Sequence, residues 1–148
     1  MSEGIVLRRD AGASKGRTLL AVATGGAIGA LGRWCVGLLA SGAAWGTVLV
    51  NVTGALALGL LVVRLSRGEP HPLAPPFLSV GLLGGWTTYS TFALDAHALG
   101  GGGLPGLLGY LLATVVLGVG AALCGLLLGD RLWGGDAGAD AAVAEDEL

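Results

Sequence analysis

Gly84-Gly85-Trp86-Thr87-Thr88-Tyr89-Ser90-Thr91-Phe92 is the stretch on which the reading of this chain turns. Two adjacent glycines and a tryptophan lead into consecutive hydroxyl residues, Thr87 to Thr91, inside an otherwise apolar segment. Gly84-Gly85 predicts a break in a helix. Non-helical backbone at membrane depth is tolerated only when buried in protein or lining a cavity. A break frees carbonyl oxygens, which can ligate a cation. The hydroxyls and amides that follow can donate to an anion, and aromatic ring edges are electropositive from the ring quadrupole. One segment could therefore hold a cation and pass an anion beside it. A packing kink with back-bonded Ser and Thr is the competing reading.

Outward from this stretch the chain is apolar. Of 148 residues, 53% are hydrophobic and only 12% charged, too much apolar surface for a soluble domain of this length to hide. No charge falls between Trp34 and Val63, between Pro70 and Leu94, or between Ala96 and Gly129. Crossing the hydrocarbon takes roughly 20 apolar residues. Four spans fit, at about Leu19–Leu39, Trp45–Val63, Phe77–Leu99 and Leu104–Leu128. The expected class is an all-α integral membrane protein with its third helix broken. Its channel domain would cover 18–130, between a polar N-terminal tail at 1–17 and a disordered, Ala/Asp/Glu/Gly-rich tail at 131–148. Met1 to Arg17 is too polar for a signal peptide. Pro70, Pro72, Pro75 and Pro76 mark a loop and a helix start, and Gly100–Gly103 a turn.

Basic residues orient the spans. With a cytoplasmic N-terminus and an even number of spans, Arg8, Arg9, Lys15, Arg17, Arg64, Arg67 and Arg131 all lie on the cytoplasmic side, and the loops near Ser41 and Gly101 carry none. Both termini are expected in the cytoplasm and the protein in the cell membrane. Small residues recur at helical spacing: Ala21, Gly25 and Gly29 share a face with Arg33, and Gly81/Gly85 and Gly125/Gly129 form further G-x-x-x-G pairs, which let helices approach closely in lipid.

Few residues could carry chemistry. Arg33 is either an interfacial anchor or a fixed positive charge beside an anion route or a subunit interface. Asn51, on one face of span two with Thr47 and Gly54, is either an interhelical hydrogen-bonding group or a donor to a dehydrated anion. Asp95 is a helix cap, an interfacial residue or part of a pathway. Tyr110 and Thr114 form a polar stripe on span four, for packing or for permeation. Cys35 and Cys124 lack metal-ligand spacing and read as small apolar packing residues. His71 and His97 belong to loops or helix ends. No dinucleotide fingerprint, Walker sequence or nucleophile–base constellation is present, which argues against an enzyme.

Three motifs in order resemble one family. Gly25-Gly26-Ala27-Ile28-Gly29-Ala30 with Arg33-Trp34, Gly46-Thr47 with Val50-Asn51 and Gly54, and the run from Gly81 to Phe92 are similar to the fluoride channels of the CrcB or Fluc family. The resemblance covers about Thr24 to Gly129. It implies passive export of cytoplasmic fluoride through a dimer of antiparallel, dual-topology-type subunits with two pores. It implies a structural, untransported Na⁺ on the carbonyls of Gly84 and Thr87 from both subunits. It implies a fluoride path along Asn51, Tyr89 and Phe92, with Ser90 and Thr91 in the same motif and Tyr110 and Thr114 as the polar track of span four. Tyr89 stands where the family usually has Phe, Gly118 where the track would carry a hydroxyl, and Asp95 where Glu is usual. The one-sided basic residues further suggest one-way insertion and a heterodimer with an oppositely oriented homologue, rather than a homodimer. An accessory, non-conducting partner subunit is the main alternative. A small proton-coupled multidrug exporter would need a carboxylate deep in span one, where there is none.

Overall fold

The computed structural model describes residues 14–134. Among the described residues the regular structure is all helix, with no strand, and most of both expected tails lies outside them. Three helices are long and apolar enough to cross a membrane: α1 (Lys15–Leu39), α2 (Ala44–Ser66) and, last in the chain, Leu104–Trp133. The remaining crossing segment is assembled from pieces. Pro76–Leu83 is wound as a π-helix, α3 (Gly84–Trp86) is a single turn, and α4 (Tyr89–Gly100) resumes after a break. The last helix is α5. Helix α1 starts at Lys15 and α5 ends at Trp133, so the helical ends reach a few residues into both expected tails.

Local chemistry sets the ends. Helix α1 closes in a Schellman arrangement: Ser41 N–H donates to the Leu38 carbonyl (3.1 Å) and Gly42 N–H to the Gly37 carbonyl (3.1 Å). Ser41 holds the left-handed conformation there, at φ 51°, and Gly42 follows at φ 71°. Helix α5 opens with Pro105 in its first turn, where a missing N–H does no harm.

Glycine seams hold the bundle together. A Cβ on Gly25 would come within 2.9 Å of the Leu82 nitrogen, and one on Gly29 within 2.7 Å of the Trp86 nitrogen. Helix α1 and the third span therefore run parallel in backbone contact. Helices α2 and α5 form a second parallel pair, the most extensively packed in the molecule. There a Cβ on Gly59 would meet the Leu126 nitrogen at 2.9 Å, and one on Gly125 the Leu60 nitrogen at 3.0 Å. Lipid tails are as apolar as leucine, so burying leucine drives little association; close van der Waals approach does. The three G-x-x-x-G pairs all lie on these seams. Few side chains are buried, and the most enclosed are Val50, Thr47, Ala40 and Tyr110. Thr47 and Tyr110 are polar, so the interior between α2, α4 and α5 is a hydrogen-bonded one.

The break differs from the expected one. Gly84 and Gly85 are helical, and the chain becomes extended at Thr87 (φ −75°, ψ 159°) and Thr88 (φ −148°, ψ 126°). Gly85 serves close approach instead: a Cβ there would meet the Gly26 Cα at 3.0 Å.

Candidate ion pathway

Asn51 on α2 clamps the break. Its Nδ2 donates to the Thr88 carbonyl (3.0 Å) and its Oδ1 accepts from the Thr88 N–H (2.8 Å). Both backbone groups of Thr88 are thereby satisfied without helix or water. One N–H of the Asn51 amide is left over, since the group carries two. The Thr88 N–H no longer reaches the Gly84 carbonyl, its helical partner, while Thr87 N–H still donates to Leu83 (2.9 Å). The extended ψ of Thr87 turns its own carbonyl away from the helical direction. Gly84 and Thr87 therefore offer carbonyl oxygens at the break, which suits a hard cation.

Thr88 also caps α4. Its Oγ1 accepts from the Thr91 N–H (3.2 Å) and donates to the Thr91 hydroxyl (3.1 Å). With its hydrogen so placed, Thr88 accepts from Ser90 (3.2 Å), and the Thr91 hydroxyl hydrogen is spare. Trp86 Nε1 donates to Thr53 (3.0 Å), tying the turn before the break to α2. Arg33 Nε donates to the Gly85 carbonyl (3.0 Å). The charge of α1 is thus held against the third span, with its terminal nitrogens spare.

Two recesses flank the break. Arg33, Trp34, Thr47, Thr88 and Thr91 line a cleft of about 410 Å³. Asn51, Thr88, Tyr89, Phe92 and Thr114 line a groove of about 490 Å³. Thr88 is shared by both. Phe92 stands in an aromatic ladder, 5.9 Å from Tyr89 and stacked at 5.4 Å on Tyr110. Tyr89 is 80% exposed, so its phenol is open to whatever fills the groove. Thr114 faces the groove but donates to the Tyr110 carbonyl (2.8 Å), which leaves its oxygen an acceptor there. The structure thus gathers Asn51, Tyr89, Phe92 and Thr114 on one side of the break and Arg33 with Thr91 on the other. Ser90 is exposed, and its hydroxyl bonds the Thr88 cap.

A further cluster joins three elements. Asp95 Oδ2 accepts from the hydroxyl of Thr47 (2.6 Å) and of Tyr110 (3.3 Å). This carboxylate pins α4 to α2 and α5 and sets the tilt of the ring against which Phe92 stacks. In sequence Asp95 fits several roles, because its partners lie 48 and 15 positions away. The shared face of Thr47 and Asn51 was the one available signal.

Residues 20–126 match the family model described as CrcB-like protein, Camphor Resistance (CrcB). The fluoride-specific ion channel FluC of Paracoccus denitrificans is 45% identical over 122 residues, covering 78% of this chain and 97% of that protein. FluC of Agrobacterium fabrum is 42% identical over 119 residues, covering 76% of this chain and 95% of that protein. A Thermobifida fusca protein named FluC 2 is 54% identical over 85 residues, 53% of this chain and 62% of that protein. With a family model that matches most of the helical body and a relative covered almost end to end, the chain belongs to the CrcB family.

Proposed function

We propose that this chain is a subunit of a fluoride-selective channel that lets cytoplasmic fluoride leave the cell passively. The observation that carries the reading is the set of spare donors around the break: the second Asn51 N–H, the Thr91 hydroxyl and the Arg33 terminal nitrogens. Fluoride is small and strongly hydrated, so shedding water requires several aligned donors. Amide, hydroxyl and ring-edge groups supply them at separate positions, and weak binding at several sites lets the ion leave again. Ring edges of Tyr89 and Phe92 would carry the ion past Asn51, with Tyr110 next in line. No group on the path needs to change covalently, in keeping with a channel family.

A structural Na⁺ on the Gly84 and Thr87 carbonyls, completed by the same pair from a second subunit, would add fixed positive charge beside the path. Antiparallel assembly supplies that second pair. The one-sided basic residues favour one-way insertion with both termini cytoplasmic, and hence a heterodimer with an oppositely oriented homologue.

The test is fluoride efflux from liposomes, read with an electrode. Fluoride should leave far faster than chloride, and replacing Na⁺ with a bulky organic cation should slow it. Chloride keeping pace with fluoride would defeat the functional assignment. Unchanged flux without Na⁺ would defeat the cation, and robust flux from the purified chain alone would defeat the heterodimer.

A further inference from the structure

At the end of the bundle away from the break, the α2 C-terminus and the loop before Pro76 enclose a cleft of about 470 Å³. Its wall is apolar, from Leu61, Leu65 and Leu78, and its rim carries Arg64, Glu69 and His71. Neighbouring Arg67 is already committed, to Asp130 in an ion pair and to the Trp133 carbonyl (3.5 Å), where it ties the ends of α2 and α5. Arg64 and Glu69, by contrast, form no ion pair among the described residues. Leu73 N–H donates to His71 Nδ1 (3.2 Å), which leaves Nε2 as the donor of that ring. The cleft therefore pairs two donors for an anionic oxygen with one carboxylate, above a greasy wall, at the edge of membrane-crossing helices.

We propose that this cleft binds a phospholipid with a phosphoethanolamine headgroup. The phosphate would sit at Arg64 and His71 Nε2, the primary ammonium at Glu69, and one acyl chain along Leu61, Leu65 and Leu78. Glu69 decides the headgroup. A carboxylate on the rim disfavours a purely anionic lipid, and a quaternary choline cannot donate it a hydrogen bond. A cleft of this volume matches the range of small-ligand sites.

The experiment is native mass spectrometry of the purified full chain after equilibration with vesicles of equal phosphatidylethanolamine and phosphatidylcholine. A second set pairs phosphatidylethanolamine with phosphatidylglycerol. An exposed ammonium–carboxylate contact sets the expected preference for the ethanolamine lipid at about five-fold. Glu69→Gln should bring that ratio to near one, Glu69→Asp should retain most of it, and Arg64→Gln should strip both lipids. Lys15→Gln, a charge change on α1 outside the cleft, should leave the ratio alone. Equal retention of both lipids by the parent chain, or stronger retention of phosphatidylglycerol, overturns the proposal. So does an unchanged ratio in Glu69→Gln, or displacement by soluble phosphoethanolamine at the lipid's own concentration, which would remove any role for the acyl wall. Gel filtration of each variant separates loss of the site from loss of the fold.

Discussion

Replacing Asn51 with Leu tests the centre of the reasoning. The substitution keeps size and adds apolar character, so by hydropathy alone it should favour a membrane helix. The structure predicts the opposite. Two hydrogen bonds, of 3.0 and 2.8 Å, join the Asn51 amide to the backbone of Thr88. Interhelical hydrogen bonds in membranes average about 0.6 kcal/mol and reach about 1.7, because lost partners are usually replaced. Here replacement is limited, since an extended residue has no helical partner waiting. Stranded backbone groups cost about 1–3 kcal/mol each. Between these bounds a loss of about 2–4 kcal/mol is expected. The chain has one escape: Thr88 can return its N–H to the Gly84 carbonyl, which straightens the helix and withdraws that oxygen from the break. Either outcome abolishes fluoride flux. Asn51→Asp separates the contributions, because a carboxylate still accepts from Thr88 N–H, cannot donate to its carbonyl, and repels an anion. It should lose flux as fully as Asn51→Leu with a smaller stability loss. Stability is read by reversible unfolding in detergent mixtures and flux by electrode. An Asn51→Leu protein within about 0.5 kcal/mol of the parent, with flux intact, would refute the clamp.

The glycine seams predict a contrast within the α2–α5 pair: Gly59→Ala should destabilise by at least about 2 kcal/mol through overpacking, whereas Gly120→Ala, with nothing within 4 Å of the new Cβ, should be neutral or gain up to about 1 kcal/mol. Equal unfolding midpoints for the two would remove the seam argument. Asp95→Leu strands the Thr47 and Tyr110 hydroxyls and frees the Tyr110 ring, so flux should fall more than ten-fold, while Asp95→Asn, which keeps a carbonyl acceptor, should lose about three-fold or less. Similar flux in both variants would mean that the cluster does not position the ladder. Arg33→Gln should retain a donor for the Gly85 carbonyl but lose the charge in the cleft, lowering flux with a steeper dependence on low fluoride concentration; flux indifferent to the change would make Arg33 a purely structural anchor.

Much of the architecture was legible because lipid leaves few options. Uncharged runs of the right length mark spans, and glycines four apart mark helix faces that must touch. The location of the break was harder. A glycine pair carries two messages, conformational freedom and room for a neighbour, and only the neighbour decides between them. For Gly85 that neighbour is the Gly26 backbone, nearly sixty residues upstream, so the pair reads as a hinge in sequence and acts as a seam in space. The true break was nonetheless announced locally. Thr87 and Thr88 are β-branched and fit extended backbone, and Thr is a favoured residue at the start of a helix such as α4. What no local signal could supply is why the extended turn survives at membrane depth. That depends on Asn51, thirty-seven positions away, whose amide matches one donor to one acceptor on the same residue. The match explains why a residue with both a donor and an acceptor sits there: Asp or Leu at 51 would each leave at least one backbone group of Thr88 without its partner. On the proposed path the clamp and the spare N–H belong to one side chain, so Leu at 51 removes both at once, whereas Asp keeps one bond of the clamp and loses the donor.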